Sequence, residues 1–270
     1  MSVLDAINAQ RRKDVDLQKE STSISKLKLS PLYERKCIPL KDSIRSKGPV
    51  AIIAEHKRAS PSEGDYGCPA NLEAVVHGYQ NAGVAAMSIL TEPQRFGGNL
   101  DHLLKARALT DLPLLRKDFI IDEYQIHEAK SAGADAILLI AAGLSLADAN
   151  RFSSLAHVLG LEVLLELHDT SELKYLEIEP DVVGVNNRNL KTLKIDLKSS
   201  IDLFGQLPAE LVKISESGIK HVRNAAKLLE HGYQGLLIGT QFMKTDNPGK
   251  ACEAFIASTA ELLLPKNSHR

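Results

Sequence analysis

Eight short apolar runs, rich in β-branched residues and spread along most of the chain, constrain the fold more than any other feature of the sequence. Most are continuous rather than alternating, as expected for strands buried on both faces of a parallel sheet. Segments with helical spacing separate them, and several end in glycine just before the next run. The predicted strands span Val50–Glu55, Ala85–Leu90, Leu112–Lys117, Asp135–Ala142, Glu162–Leu167, Asp181–Asn186, Leu211–Ser217 and Gly235–Thr240.

This succession predicts an α/β fold, a closed (β/α)8 TIM barrel with an N-terminal helical extension. A length of 270 residues fits one large domain. We expect residues 1–48 to form the extension, packed on a catalytic barrel over 49–262, in a single domain overall. The alternative is an open doubly wound sheet, but no GxGxxG follows the first strand, which disfavours a dinucleotide-binding domain.

The charge balance indicates small partners. Charged residues make up 25% of the chain and the net charge is -1, so no strong field attracts nucleic acid or an acidic membrane. The N-terminal segment has no apolar leader core, and no run approaches the roughly 18 apolar residues of a membrane span. Cys37, Cys68 and Cys252 lie far apart, outside any zinc-type spacing. We therefore expect a cytoplasmic protein with reduced thiols.

Charged side chains stand at the carboxyl ends of the predicted strands, where the loops of a barrel build its active site. Because side chains alternate along a strand, Glu55 and Lys57 would point into the barrel mouth, while His56 and Arg58 face the helices. The same alternation directs inward Lys117, Glu166, Gly184, Asn186 and Glu216.

One explanation for this cluster is a structural ion-pair network. However, burying so many charges is costly, and clustered lysines and carboxylates in a dry pocket are also how proteins shift the pKa values of catalytic acids and bases. No metal is predicted, because the lysines would repel a cation.

Glycines follow the last two predicted strands. Gly218 and Gly239 stand where many barrels bind a phosphate through backbone N–H groups, although a plain turn also needs a glycine. Ser60 and Ser62 after the first strand, with Arg58 nearby, can add donors to the same anion site. The sequence thus predicts a phosphate at the mouth of the barrel.

Seven segments carry the motifs of a known family: AEHKRASPSEG, LTEPQRFGGNLDHL, LPLLRKDFIIDEYQIHEAKSAGADAILLI, LEVLLELHD, VGVNNRNL, SESGI and LLIGTQFM. In these segments, from about Pro49 to Met243, the chain resembles the indole-3-glycerol phosphate synthases, barrel enzymes of tryptophan biosynthesis. The resemblance implies a carboxy-lyase without a cofactor and with a small phosphorylated substrate. Ring closure, decarboxylation and dehydration would convert 1-(2-carboxyphenylamino)-1-deoxyribulose 5-phosphate to indole-3-glycerol phosphate, CO2 and water. It leaves open whether the protein is a monomer or associates with other enzymes of the pathway.

The resemblance also implies catalytic roles. Lys117 would be the general acid that protonates the ketone oxygen, and Glu166 would orient Lys117 or act as a base. Lys57 would hold the substrate carboxylate or supply the acid for dehydration, with Glu55 accepting a proton. How the acid steps divide between the two lysines stays open.

Further positions carry over as positioning and binding residues. Asn186 and Glu216 would position the anilino nitrogen and the sugar hydroxyls. The implied substrate- and phosphate-binding residues are Ser60, Phe96, Arg188, Ser217, Gly218, Gly239 and Thr240.

Two positions depart from the family pattern. His56 stands where an apolar residue is usual, which should affect packing behind the first strand. Glu63 stands where lysine is common. We expect a carboxylate there to repel a dianionic substrate by up to about 1 kcal/mol at an exposed site.

Two other functions compete with the lyase. A phosphoribosyl isomerase barrel would share the phosphate glycines but favour a Cys or Asp acid–base pair, which the two lysines oppose. A ligand-binding or regulatory barrel would have lost at least one of Glu55, Lys57, Lys117 and Glu166, and the sequence retains all four.

Overall fold

The computed structural model describes residues 3–61, 63–189 and 192–264. Parallel strands close into a barrel in which neighbours run β1-β8-β7-β6-β5-β4-β3-β2 and back to β1. The barrel strands are β1 (Ile52–His56), β2 (Ala86–Leu90), β3 (Leu114–Lys117), β4 (Ala136–Ile140), β5 (Glu162–Leu167), β6 (Val182–Asn186), β7 (Val212–Glu216) and β8 (Gly235–Ile238). The predicted (β/α)8 barrel is confirmed, and each predicted strand end agrees to within two residues.

Helices precede and separate the strands. They are α1 (Val3–Ser21), α2 (Ile24–Leu27), α3 (Leu40–Ser46), α4 (Leu72–Asn81), α5 (Pro93–Phe96), α6 (Leu100–Leu109), α7 (Glu123–Ser131), α8 (Leu146–Val158), α9 (Lys198–Phe204), α10 (Val222–Glu230), α11 (Thr240–Met243) and α12 (Pro248–Leu263). Two 3-10 helices, Ala141–Gly143 and Thr170–Ile178, follow β4 and β5. None of these helices, in the residues described, is long and apolar enough to cross a membrane.

Local sequence explains where these helices start and stop. Asn71, Asp122 and Ser145 are N-cap residues whose side chains accept hydrogen bonds from the first-turn backbone N–H groups of α4, α7 and α8. The glycines predicted to stop the helices have positive φ, a conformation that other residues adopt at a cost: Gly83, Gly133, Gly160 and Gly232. Residues close in sequence therefore specify where several of the helices begin or end.

Strand alternation divides the buried apolar side chains into two cores. One core fills the barrel interior, with Ile53, Leu115, Leu164 and Ile214 among its members, and the other lies between the strands and the outer helices. Helix α3 packs Leu40 and Ile44 against the interior core and so closes the amino-terminal end of the barrel. Two residues further along the same strands, the inward-facing side chains are charged: Glu55, Lys117, Glu166 and Glu216.

Helix α1 lies at the opposite, carboxyl-terminal end. Its Arg11 forms a buried ion pair with Asp118, just after β3, at 3.0 Å, and Asn8 donates to the Gly143 carbonyl after β4 at 3.1 Å. In the loop after β1, the two-residue strands Ala59–Ser60 and Gly64–Asp65 pair antiparallel. A pocket opens between these elements.

Candidate active site

One pocket at the carboxyl ends of the strands brings together the predicted catalytic and substrate-binding residues, whereas Arg58, predicted near the anion site, is not part of its lining. Its lining includes the predicted catalytic residues Glu55, Lys57, Lys117, Glu166, Asn186 and Glu216. The predicted binding residues Ser60, Phe96, Arg188, Ser217, Gly218, Gly239 and Thr240 line it as well. Ser62, predicted beside the anion site, lies outside the described residues.

A lysine between two carboxylates forms the centre of the pocket. The Nζ of Lys117 lies 3.2 Å from Oε2 of Glu166 and 2.9 Å from Oε2 of Glu216. Gly184, on the strand between these glutamates, makes room for them: a Cβ there would lie 2.5 Å from Oε1 of Glu216. That oxygen has no hydrogen-bond partner among the described residues. The site thus offers a buried acceptor for a substrate N–H or O–H group.

Burial and charge set the protonation states of this cluster. Burial alone lowers the pKa of Lys117, but the carboxylates of Glu216, Glu166 and Glu55 outweigh it, so that the pKa is raised. Burial alone raises the pKa of Glu166, but Lys117 and His168 outweigh it and the pKa is lowered. Burial and the charge of Glu166 raise the pKa of Glu216 to about 7, against the opposing effect of Lys117. The carboxylates therefore differ in proton affinity although they share one lysine.

A second lysine–glutamate pair stands beside the first. The Nζ of Lys57 lies 2.7 Å from Oε1 of Glu55 at the end of β1. Gly239 comes just after β8, the strand adjacent to β1. A Cβ at Gly239 would lie only 2.6 Å from Oε1 of Glu55. Gly239 thus leaves room for the Glu55 carboxylate, in addition to its predicted place near the phosphate.

The predicted phosphate end is built by turns after β7 and β8. Ser217 and Gly218 have successive positive φ values of 68° and 75°. The buried Asn187 fixes this turn, because its Nδ2 donates to the carbonyls of Glu216 at 3.0 Å and Ser217 at 3.1 Å. Thr240 begins α11, and its hydroxyl lies 3.1 Å from the Tyr66 hydroxyl. Sequence reasoning missed Asn187, although it adjoins Asn186 in the VGVNNRNL motif.

Arg188 organises the loop after β6. Its backbone N–H donates to Oδ1 of Asn186 at 2.9 Å, and its guanidinium donates to the Leu193 carbonyl at 3.2 Å. The loop returns to pair Ile195 with Arg188, and Leu193 and Ile195 line the pocket. Arg188 therefore shapes the pocket wall through the loop.

An apolar wall completes the pocket. The Phe96 and Phe119 rings stand 6.1 Å apart between centroids, and Leu4 and Ile7 of α1 reach the same space. Sequence reasoning missed Phe119, although it lies only two residues beyond Lys117, in the loop that follows β3. Together these side chains form a surface suited to a flat apolar ring.

Among the described residues, no group of three or more His, Cys, Asp or Glu side chains is arranged to hold a metal ion.

A family model for indole-3-glycerol phosphate synthase matches residues 4–255. The chain belongs to the indole-3-glycerol phosphate synthase family.

Similar proteins align with this chain over almost the whole length of both. The indole-3-glycerol phosphate synthase of Bacteroides thetaiotaomicron is 45% identical over 94% of this chain and 97% of its own. The one of Salinibacter ruber is 40% identical over 93% of this chain and 94% of its own. The family that the motifs resemble is thereby confirmed.

Solved structures of other enzymes share the architecture. The 3-hexulose-6-phosphate synthase of Salmonella typhimurium superimposes with a TM-score of 0.60 at 12% identity, over 77% of this chain and 99% of that one. The thiamine phosphate pyrophosphorylase of Pyrococcus furiosus superimposes with a TM-score of 0.59 at 15% identity, over 84% of this chain and 100% of that one. At such identities the likeness shows the barrel fold alone.

The structure shows the surroundings of His56 and Glu63, the two positions expected to depart from the family pattern. His56 is buried on the helix side of β1, as its position in the strand predicts, and meets His102 edge to face at 5.3 Å; burial lowers its pKa to about 3. Glu63 lies at the pocket mouth, 2.8 Å from Nζ of Lys244 and 3.8 Å from Nζ of Lys220. The two lysines partly neutralise the carboxylate that the sequence predicted to repel a phosphate.

Proposed function

We propose that this chain is an indole-3-glycerol phosphate synthase in the tryptophan pathway. It closes the ring of 1-(2-carboxyphenylamino)-1-deoxyribulose 5-phosphate, releases CO2 and eliminates water to give indole-3-glycerol phosphate. The observation that carries this proposal is the Lys117 ammonium held by Glu166 and Glu216 beside an apolar wall. A carbon–carbon bond forms at the ketone only if an acid meets the developing oxyanion while the ring is held against the carbonyl carbon.

Ring closure uses Lys117 as the acid. Its raised pKa keeps the ammonium form at neutral pH, so a proton is available to the ketone oxygen as the ring carbon attacks. Glu166 orients the ammonium from one side, and the open Oε1 of Glu216 accepts a hydrogen bond from the anilino N–H or a sugar hydroxyl. Asn186 shares this positioning role and also hydrogen-bonds Glu166.

Decarboxylation and dehydration take place next to Lys57. Its ammonium holds the substrate carboxylate until CO2 leaves, and then protonates the departing hydroxyl while Glu55 accepts a proton. The 2.7 Å contact between Lys57 and Glu55 supports a direct exchange of this kind. The cycle consumes no oxidant, reductant or cofactor.

Binding determinants flank this chemistry. We assign the phosphate to the turns at Ser217–Gly218 and Gly239–Thr240, with Ser60 alongside. The aromatic ring would lie against Phe96 and Phe119. The phosphate and ring sites then hold the two ends of the substrate and leave the ketone at Lys117.

The test is to mix the purified protein with 1-(2-carboxyphenylamino)-1-deoxyribulose 5-phosphate in the presence of a chelator and to follow indole fluorescence. The proposal requires product at catalytic protein concentrations. Binding of the substrate without any product would instead indicate a binding barrel and overturn the proposed activity.

We also propose that residues 1–48 form an extension packed on the barrel of residues 49–262 within one domain, in a cytoplasmic enzyme. The ion pair of Arg11 with Asp118 supports one cooperative unit, and the free thiols of Cys37, Cys68 and Cys252 fit a reducing compartment. A single calorimetric transition for the full chain is the expected result, and two separate transitions would contradict the single domain. Fractionation of the cells that make the protein tests its location.

A further inference from the structure

A histidine and a second glutamate stand behind Glu166, on the side away from the pocket. The Nε2 of His168 lies 3.1 Å from Oε1 of Glu166, within ion-pair distance. The Nδ1 of the same ring lies 3.4 Å from Oε2 of Glu172. His168 does not line the pocket, so any effect on the substrate passes through Glu166.

The chain segment after β5 fixes this histidine in place. Asp169 caps the 3-10 helix Thr170–Ile178, and its side chain accepts the Ser171 N–H. Glu172, in the first turn of that helix, accepts the His168 backbone N–H at 2.7 Å. Oε2 of Glu172 therefore contacts the main chain and the ring of His168 together, which restricts the imidazole to one orientation.

The charges around the ring favour an imidazolium. Facing it are the carboxylates of Glu166 and Glu172, while Glu166 in turn faces Lys117 and Asn186. Burial alone lowers the pKa of His168, but the two carboxylates outweigh burial and raise it to about 10. The ring is thus a cation at neutral pH, and Glu166 lies between two cations, one in the pocket and one behind it.

We propose that His168, held by Glu172, is a positioning residue that fixes the carboxylate of Glu166 opposite Lys117 for ring closure. This inference rests on the proposed synthase activity and adds a residue that the motif comparison did not supply. Oε1 of Glu166 faces His168 while Oε2 faces Lys117, so rotation of the carboxylate away from the lysine would break both contacts at once. A barrier to that rotation keeps the acid aligned with the ketone.

Three variants separate this role from a merely structural one. His168→Leu removes the ring nitrogens, His168→Gln retains an amide donor near the position of Nε2, and Glu172→Gln weakens the support of the ring. We expect His168→Leu to lower kcat by about tenfold or more with KM within twofold, because a misplaced catalytic group loses rate rather than affinity. His168→Gln should recover most of kcat. The kcat of Glu172→Gln should lie between those of the wild type and His168→Leu.

The pH profile is the readout that a structural role would not move. In His168→Leu the cation behind Glu166 is gone, so the pKa of Glu166 should rise. The acidic limb of the kcat/KM profile should therefore move to higher pH. His157→Gln is the matched control, because His157 forms a comparable 3.0 Å ion pair with Asp181 away from the pocket. A His168→Leu protein with a lowered Tm but unchanged kcat and acidic limb would overturn the proposal.

A measurement without turnover keeps this test separate from the proposed function. In 15N NMR spectra of the imidazoles, His168 should stay doubly protonated above pH 8, and its pKa should fall in Glu166→Gln. A neutral His168 ring at pH 7 would overturn the proposal even in an active enzyme. An inactive wild-type protein with a protonated His168 would instead refute the synthase activity and leave the Glu166–His168 pair intact.

Discussion

The ammonium of Lys117 lies 2.9 Å from Oε2 of Glu216, the carboxylate in this cluster whose pKa burial raises to about 7. The raised pKa of Lys117 keeps it an ammonium near neutral pH, whereas the neighbouring carboxyl of Glu216 gains and loses its proton in that range. General acid–base catalysis favours groups that titrate near the working pH. The pair therefore connects the electrostatics of the fold to the rate of the proposed reaction.

Glu216→Gln should remove a pH dependence of stability. Between the ordinary pKa of 4.5 and about 7, the native protein binds more protons at Glu216 than the unfolded chain, so this group's stabilising contribution is lost as the pH rises through that window. Urea denaturation at pH 5 and pH 8 should show a smaller loss of unfolding free energy in the variant. Glu253→Gln, at an exposed position on α12, is the control. Equal losses in wild type and Glu216→Gln would contradict the prediction.

Lys117→Ala should lower turnover by on the order of 10² or more, the usual contribution of a positioned acid. The change also leaves Glu166 and Glu216 without their shared cation, so Lys117→Met, which fills more of the space, is a second variant. Lys105→Ala, at an exposed position on α6, should retain full activity. The measurement is kcat by indole fluorescence, with circular dichroism to check the fold. Near-normal turnover in the folded variants would remove Lys117 from the acid role.

Gly184→Ala should reduce kcat by on the order of tenfold or more, because displacement of a catalytic group by about 1 Å is enough for a large loss. The added Cβ would lie 2.5 Å from Oε1 of Glu216 and force that carboxylate away from its present position. Gly205→Ala is the matched control, since a Cβ there meets nothing within 4 Å. If steady-state kinetics show equal kcat for both variants, Gly184 does not position Glu216.

Glu63→Lys should lower the KM by up to about fivefold, which corresponds to at most about 1 kcal/mol at a partly exposed site. The substitution removes a carboxylate that now pairs with Lys244 and Lys220, and it frees both ammonium groups towards the phosphate end of the pocket. The affinity gained should weaken with added salt. Glu73→Lys makes the same charge change on the exposed face of α4 and should leave KM unchanged. An unaltered KM for Glu63→Lys would show that this loop does not influence the anion.

Periodicity along single strands predicted much of this site. Because inward positions repeat every second residue, the alternation of β1 and β5 was sufficient to place Glu55 and Glu166 inside the barrel mouth. The motifs then supplied the binding residues, all of which line the same pocket. For each of these residues, its position along a strand or in the loop that follows is enough to place it at the pocket.

The remainder of the site depends on contacts between distant segments. Strand alternation directs Gly184 inward but does not reveal that its missing Cβ leaves space for Glu216 on the next strand. The contribution of Leu4 and Ile7 requires the docking of α1, and the neutralisation of Glu63 requires two later loops to bring their lysines to it. No local pattern encodes such contacts, which explains why the sequence predicted an uncompensated charge at Glu63.

Arg11→Leu tests whether α1 is part of the binding pocket. Arg11 is almost fully buried and its guanidinium lies 3.0 Å from Oδ2 of Asp118, next in sequence to Lys117. Asp118 keeps Arg116 as a second partner at 3.0 Å, so we expect the unfolding free energy to fall by only about 2 kcal/mol, the value of a charged hydrogen bond. The larger effect should be a KM raised several-fold with a smaller change in kcat, because loosening α1 withdraws Leu4 and Ile7 from the apolar wall. Arg12→Leu, which removes an exposed arginine 3.8 Å from Asp122, should leave the unfolding free energy, KM and kcat nearly unchanged. A destabilised Arg11→Leu protein with an unchanged KM would mean that α1 stabilises the barrel without contributing to substrate binding.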